Sequence, residues 1–491
     1  MPVNLPRDDE EIKYAGVENE DGTTFHMPSK PVGADGVTPL FTDSNPGSMK
    51  LTGSNPQDKL IYGAYWNKGS DPTMTRTDAA VDMVANAGVD GQLVKNDFDN
   101  APIWGEIEEV EDEYGNVFIK IPKVYIRKHI GKDFLLEKLS KTKHPGFYLP
   151  WCFWDFENNK ELDYILVGKH EASLSDDNKL ESKPNKYPLI NKNIVEFRDY
   201  AKANNAIGLK GYQQHDVHVQ DLLAVLFHIE FATLNSQSIM QGFTAGRYTD
   251  SELATVAETN VNRIIVANAT ADQYRIGQVI SVGTSQGGNQ VFYGRTITAI
   301  ENYDTNNKAI LFDGDPVNIA VGNYLYNTGW ITGFSKNILA ASGSIGSNTD
   351  GKYPCSYRGV ENIWGNVYKW VDGINIDARQ AWVAKNAEDY TSNVFTSPHE
   401  KLGYVNASEN GYPMDMGFYS KLPFANLPNK VGGSSSTYYS DYYYQNTGQC
   451  VALVGGSWYN GSYAGLSLWA LSSSSGYRYV NFGGRLLKKA L

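Results

Sequence analysis

The residues from Gly455 to Arg485, GGSWYNGSYAGLSLWALSSSSGYRYVNFGGR, limit what this chain can build more than any other stretch. Seven serines, seven glycines, four tyrosines and two tryptophans fall within its 31 residues, with only two charges, Arg478 and Arg485. A core element asks for Leu, Ile and Val at a helical or strand period, and a disordered tail asks for charge and proline. The stretch has neither pattern. Tyr and Trp offer large, rigid contact area at low entropy cost, while Ser, Gly and Asn adapt their hydrogen bonding. Leu466, Leu468, Trp469 and Leu471 set the run apart from a flexible Gly/Ser linker. The composition predicts a binding surface on a rigid scaffold. Its expected members are Trp458, Tyr459, Tyr463, Leu466, Leu468, Trp469, Leu471, Tyr477 and Tyr479, surrounded by Asn460, Ser462, Ser473, Ser475 and Asn481.

A second cluster, SSSTYYSDYYY from Ser434 to Tyr444, holds five tyrosines and four serines. If extended, its alternation places Tyr438, Tyr442 and Tyr444 on one face, as secondary binding candidates. A tyrosine-rich strand pair inside the core explains about half of these residues equally well.

The 491 residues are enough for more than one domain. A formal charge of −12 argues against nucleic-acid or anionic-membrane partners. No run of 18 apolar residues is present, and MPVNLPRDDEEIK lacks the basic and apolar regions of a signal peptide. Cys152, Cys355 and Cys450 are too widely spaced for a disulfide framework or a metal motif and are expected to be buried thiols. Folding in a reducing cytoplasm is the expectation.

Taken in order, residues 1 to about 60 are rich in Pro, Gly, Asp, Ser and Asn and predict an extended arm, ordering against a partner or remaining a disordered tail. A short helix is expected over Ala79–Ala87, stopped by Gly88. Gly105–Val110 and Val117–His129 read as a strand pair turning at Tyr114-Gly115-Asn116, and Tyr164–Glu171 as a further strand. Helices are expected over Ile194–Asn204, capped by Asn193, and over Val217–Leu234, capped by Asp216. Arg263–Tyr326 reads as five short Val/Ile-rich strands, an inserted small β-barrel or sandwich with no evident chemistry.

Two motifs carry a family resemblance. Gly455-Gly456-Ser457-Trp458 with Gly483-Gly484-Arg485-Leu486 resembles the closing GGSW…GFR pattern of the C-type-lectin-like fold of formylglycine-generating enzymes. The hypervariable proteins of diversity-generating retroelements, phage tropism determinants among them, share that frame. Asn362 to Val371, NIWGNVYKWV, resembles the GNVWEWV signature of the same superfamily, about ninety residues upstream. Gly484 stands where the enzymes usually have Phe, and Tyr368 and Lys369 replace Trp and Glu. The resemblance covers about residues 105–245 and 335–491. It implies an α+β class: a lectin-like domain in two halves (101–245 and 336–491), an inserted all-β domain (246–335), and an arm with a small attachment or oligomerisation region (1–100). The implied function is a phage or prophage tail adhesin, located in the virion tail and made in the host cytoplasm. It would bind a glycan or protein receptor on the host surface, meet other tail proteins through its arm, and form a homotrimer, with no nucleic acid and no membrane insertion.

An enzyme is the weaker alternative, with a purely structural tail component as a third. The formylglycine-generating enzymes use a closely spaced cysteine pair, whereas Cys450 has no cysteine near it in sequence. Their sulfoxide-forming relatives carry His-x3-His-x-Glu. This chain has His215-Asp216-Val217-His218, with His228 ten residues further on, for which a capping or surface role is the better reading. The EPN, QPD and WND motifs of calcium-dependent lectins do not occur. Glu361 beside the NIWGN motif predicts a structural salt bridge or turn hydrogen bond. The expectation is recognition without catalysis, metal or cofactor.

Overall fold

A mixed sheet of seven strands organises the C-terminal half, with apolar side chains packed on both of its faces. Its path runs Glu400–Val405, Gln380–Val383, Tyr368–Asp377, Cys450–Gly455, Gly465–Ser473 and Tyr443–Gln445, and Phe482–Gly483 pairs in parallel with the start of Tyr368–Asp377. Side chains alternate across a strand, so each strand feeds two cores. Tyr368, Trp370, Val451, Leu453, Leu468 and Ala470 pack with Ile194 and Phe197 on one side. Val371, Ile374, Ala452, Val454, Trp469 and Leu471 pack with Leu402 and Tyr443 on the other.

This computed structural model describes residues 60–422 and 427–491, together with the paired two-residue strands Phe41–Thr42 and Lys50–Leu51. Apart from those two strands, the expected N-terminal arm lies outside the described residues.

Both expected helices form. Helix α1, Ile194–Lys202, begins with a capping box in which Asn193 accepts from the Glu196 N–H and Glu196 accepts from the Asn193 N–H. Helix α2, Val217–Phe231, is capped by Asp216, which accepts from the His218 and Val219 N–H groups, and it is buried on nearly every side. The expected α+β class is nevertheless overturned: strands hold 39% of the residues and helix 12%, so the fold is largely all-β. The two helical runs are real, but the Gly-, Asn- and Tyr-rich remainder pairs as many strands of two to six residues, too short to show a period. The helix expected over Ala79–Ala87 is absent. Thr75–Asp78 is a strand that runs into turns, and Gly88–Val89 pairs in parallel with Gly343–Ser344. Gly88 does not stop a helix; it permits close approach, since a Cβ there would lie 2.7 Å from that of Ala340.

The Val117–His129 run divides between two sheets. Val117–Pro122 joins Glu108–Glu111, Tyr164–Gly168, Leu486–Lys489 and Tyr212–Gln214 in a five-stranded sheet, so the last strand of the chain sits between two from the first half. Tyr125–Ile130 joins Leu135–Ser140, Ile61–Trp66 and Thr75–Asp78 in a four-stranded antiparallel sheet. Between the halves, Arg263–Ala267, Asn307–Phe312, Gly288–Asn302, Gln278–Ser285 and Tyr324–Trp330 form their own antiparallel sheet. Ile264, Ile280, Phe292, Ile310 and Leu325 belong to its separate core.

One buried carboxylate ties these parts together. Glu171, just past the strand Tyr164–Gly168, accepts from Asn362 Nδ2 at 3.0 Å and from Asn366 Nδ2, and pairs with Lys369 Nζ at 3.1 Å. Asn366 Oδ1 in turn accepts the Trp330 N–H at 2.7 Å, at the end of the intervening sheet. Arg485 donates to the carbonyls of Gly168, Lys169, Glu361 and Asn362. The Asn366 carbonyl accepts the Trp458 N–H at 2.7 Å and the Gly455 carbonyl the Gly365 N–H at 3.1 Å. Gly455 sits at φ +82°, where an added Cβ would lie 3.1 Å from the Ile363 carbonyl oxygen, so glycine is required for both conformation and space. The two sequence motifs thus interlock. Lys369 is the cation that Glu171 faces. Removing Glu171 strands buried Lys369 and Arg485 without it, so Glu171→Ala is expected to cost about 3–5 kcal/mol, read as a lower urea midpoint.

Candidate functional site

The structure divides the expected surface residues into two groups. Leu466, Leu468, Trp469 and Leu471 are buried, because Gly465–Ser473 is an inner strand covered on both faces. Trp458 is buried as well, packed with Phe243, Trp330 and Phe334. These five are scaffold, which corrects their expected role. Tyr459 is 57% exposed, Tyr463 40%, and Tyr477 and Tyr479 47% each. All four lie in the connections on either side of that strand.

These rings join others brought in from distant segments. Tyr463 stacks on Tyr442 with centroids 4.3 Å apart, and Tyr412 meets Tyr442 edge-on at 5.1 Å and Tyr463 at 5.8 Å. Tyr444 lies 4.8 Å from Tyr442. Asn460 Nδ2 donates to the Tyr368 hydroxyl at 2.8 Å. Tyr368 packs edge-on against Phe482 at 5.5 Å, and Phe482 supports Tyr477 and Tyr479, whose rings lie 10° from parallel. On the far side Tyr459 meets Tyr248 at 5.7 Å. Burial, with Tyr479 and Tyr459 nearby, raises the Tyr248 phenol, and burial, with Tyr442 and Tyr463 nearby, pushes Tyr444 up to about 12. The result is a belt of three tyrosine groups, Tyr412 with Tyr442, Tyr444 and Tyr463, Tyr477 with Tyr479, and Tyr248 with Tyr459, the first two bridged by Asn460, Tyr368 and Phe482. Offset and edge-on ring pairs are favourable beyond their buried area, so the belt is held in shape before any ligand arrives.

Polar residues fix the belt's backbone. Asn460 Oδ1 accepts from the Ser457 N–H at 2.8 Å and hydroxyl at 2.7 Å, and Asn481 Nδ2 donates to Ser457 Oγ at 2.9 Å. Ser462 Oγ lies 3.3 Å from the Tyr412 hydroxyl, and Ser475 Oγ accepts from Asn393 Nδ2 at 2.9 Å. Ser473 is half-buried opposite Val451. Tyr438 does not join the belt. Tyr438 and Ser440 take positive φ, which ends the expected alternation, and the Tyr438 ring packs edge-on against Trp66 at 6.3 Å. Tyr248 and Tyr412 carry no local sequence signal. They stand alone in RYTD and GYP, and only the fold brings them to the belt.

The candidates for chemistry are all engaged elsewhere. His215 Nε2 donates to Gln220 Oε1 at 2.9 Å and His218 Nε2 to the Ala384 carbonyl at 3.0 Å. His228 Nδ1 pairs with Glu137 at 2.8 Å. Glu361 accepts from His170 at 2.8 Å and from Gly333 and Ser335. Burial opposes its charge, and these donors more than offset that, holding the carboxyl below its usual range. All three cysteines are buried, and burial raises each thiol, Cys355 to about 12. Among the described residues no three His, Cys, Asp or Glu side chains are grouped to hold a metal ion, and no helix is long and apolar enough to cross a membrane.

No family model matches the chain, and no curated protein matches it. The belt itself offers flat aromatic faces, hydroxyls and amides, with Arg478 at its edge paired to Glu196 at 3.1 Å.

Burial lowers His215 and His218 from 6.5 to about 4. The unfolded chain binds the additional protons between those values, so this contribution is complete above about pH 6.5 and is lost as the pH falls toward 4. At about 1.4 kcal/mol per pKa unit the loss is on the order of 3 kcal/mol per histidine. Denaturant unfolding from neutral pH to about pH 4 is expected to show the decline, with a shallower slope in His215→Gln.

Proposed function

We propose that this chain is a tail adhesin of a bacteriophage or prophage that binds a host-cell surface receptor through its tyrosine belt. The observation that carries the reading is the separation of face from scaffold. Tyr459, Tyr463, Tyr477 and Tyr479 project from connections, whereas Trp458, Leu468 and Trp469 beside them are buried. Side chains on such a face can change without loss of the fold, which is what a variable receptor-binding surface of the hypervariable class requires. Recognition follows from rigid aromatic area and the surrounding hydroxyls and amides. The protein acts by binding and not by catalysis, as a homotrimer in the virion tail. Its N-terminal segment joins other tail proteins, and repeated copies raise the effective concentration of weak single sites.

The test separates face from scaffold. Tyr463→Ala combined with Tyr479→Ala is expected to lower adsorption of the purified protein to host bacteria at least about tenfold, with stability changed by less than about 1 kcal/mol. Trp469→Ala is expected to cost about 3–5 kcal/mol of stability. Full adsorption by the double tyrosine variant would reject the belt as the receptor site.

A further inference from the structure

Outside the belt, Lys128, Glu137 and Asp221 meet in an apolar core. Lys128 lies on the strand Tyr125–Ile130 and Glu137 directly opposite on Leu135–Ser140, a register pair in that sheet. Asp221 projects from the first turns of α2. Their side-chain exposures are 0%, 0% and 6%. Ile126, Leu139, Leu222 and Val225 belong to the core around them. Lys128 Nζ contacts Asp221 Oδ1, and Glu137 Oε1 stands 3.7 Å from the same nitrogen. Glu137 Oε2 accepts from His228, but the buried Oε1 has no hydrogen-bond partner. The buried lysine node at Lys369 is built differently: Lys369 donates to the Gly365 carbonyl at 2.8 Å, and Glu171 is occupied by two asparagine amides. At Lys128 a primary amine meets a carboxyl group, with an unoccupied carboxylate oxygen beside it.

We propose that Lys128 and Asp221 become joined by an intramolecular isopeptide bond, with Glu137 carrying the proton. Lys128 Nζ passes a proton to Glu137 Oε1, and the freed amine lone pair attacks Asp221 Cγ. A C–N bond forms as one Asp221 C–O bond breaks. The departing oxygen takes the proton returned by Glu137 and the second amine proton, and leaves as water. An ammonium and a carboxylate thus become one amide and one water, Glu137 is regenerated, and no oxidant or co-reactant is needed. Burial raises the Asp221 carboxyl despite Lys128, so the carboxylate readily takes up the proton that Glu137 returns and is the better electrophile for it. Burial opposes the charge on Glu137, but His228 and Lys128 outweigh it and hold it as the carboxylate base. Isolated buried charges are costly, and their conversion to a neutral amide removes two of them. The bond would fasten α2 to the four-stranded sheet independently of any receptor reading.

Intact mass of the denatured full-length chain decides the matter. The wild type is expected about 18 Da below its sequence mass, the loss of one water, with a branched tryptic peptide joining Lys128 to Asp221. Lys128→Arg and Asp221→Ala are expected at their full sequence masses. Glu137→Gln is expected to slow closure by about 100-fold or more, since proton transfer of this kind contributes at least that much. A wild type at full mass overturns the proposal, and needs no folded variant to do so. A deficit that persists in Lys128→Arg overturns it as well, and closure at the wild-type rate in Glu137→Gln removes Glu137 from the step.

Discussion

The carboxylate of Glu171 is the point on which the rest of the structure depends. A buried charge is tolerated only when it is paired and fully hydrogen-bonded. Glu171 meets that demand with groups drawn from one short segment, Asn362, Asn366 and Lys369. Asn366 extends the network to Trp330, and its carbonyl to Trp458. The network therefore fixes the first strand of the large sheet, the exit of the intervening sheet and the turn that begins the tyrosine belt. Arg485 closes it from the C-terminal strand, using backbone carbonyls as acceptors. Loss of the central carboxylate would leave two buried cations, which is why the node has more structural consequence than any single apolar contact.

The large sheet turns that fixed frame into a display. Because it is covered on both faces, the inner strand Gly465–Ser473 buries its side chains from Leu466 to Leu471 and leaves only Ser472 and Ser473 partly open. The exposed tyrosines are thereby confined to the connections, where they support one another through ring pairs and through Asn460. Aromatic side chains with few rotatable bonds lose little entropy on binding. A belt assembled in advance lowers that cost further.

Much of this was legible in the sequence, for definite physical reasons. Asn193 and Asp216 predicted their helices because a cap is a local interaction. The composition of residues 455–485 marked the belt, and the NIWGN and GGSW motifs marked the scaffold beneath it. Sequence reading failed where an outcome depends on what covers a residue. Leu468 and Trp469 look like surface anchors until a strand lies on either side of them. Tyr438 leaves its face because a residue with positive φ breaks the alternation. Tyr248 and Tyr412 carry no local signal, since only tertiary packing brings them to Tyr459 and Tyr463. The α+β class that the resemblance implies fails because most of the chain pairs as strands, and those of two or three residues leave no periodic trace to correct it.

The central claim is that the exposed tyrosines of the belt, and not the rest of the surface, meet the receptor. Tyrosine-selective chemical labelling of the protein, free and adsorbed to host cells, tests it most directly, read residue by residue. Tyr459, Tyr463, Tyr477 and Tyr479 should be labelled in the free protein and protected on cells. Tyr114 and Tyr303, which are 48% and 41% exposed and lie outside the belt, should label equally in both states. Equal labelling of the belt in free and adsorbed protein, or protection centred on Tyr114 or Tyr303, would contradict the account.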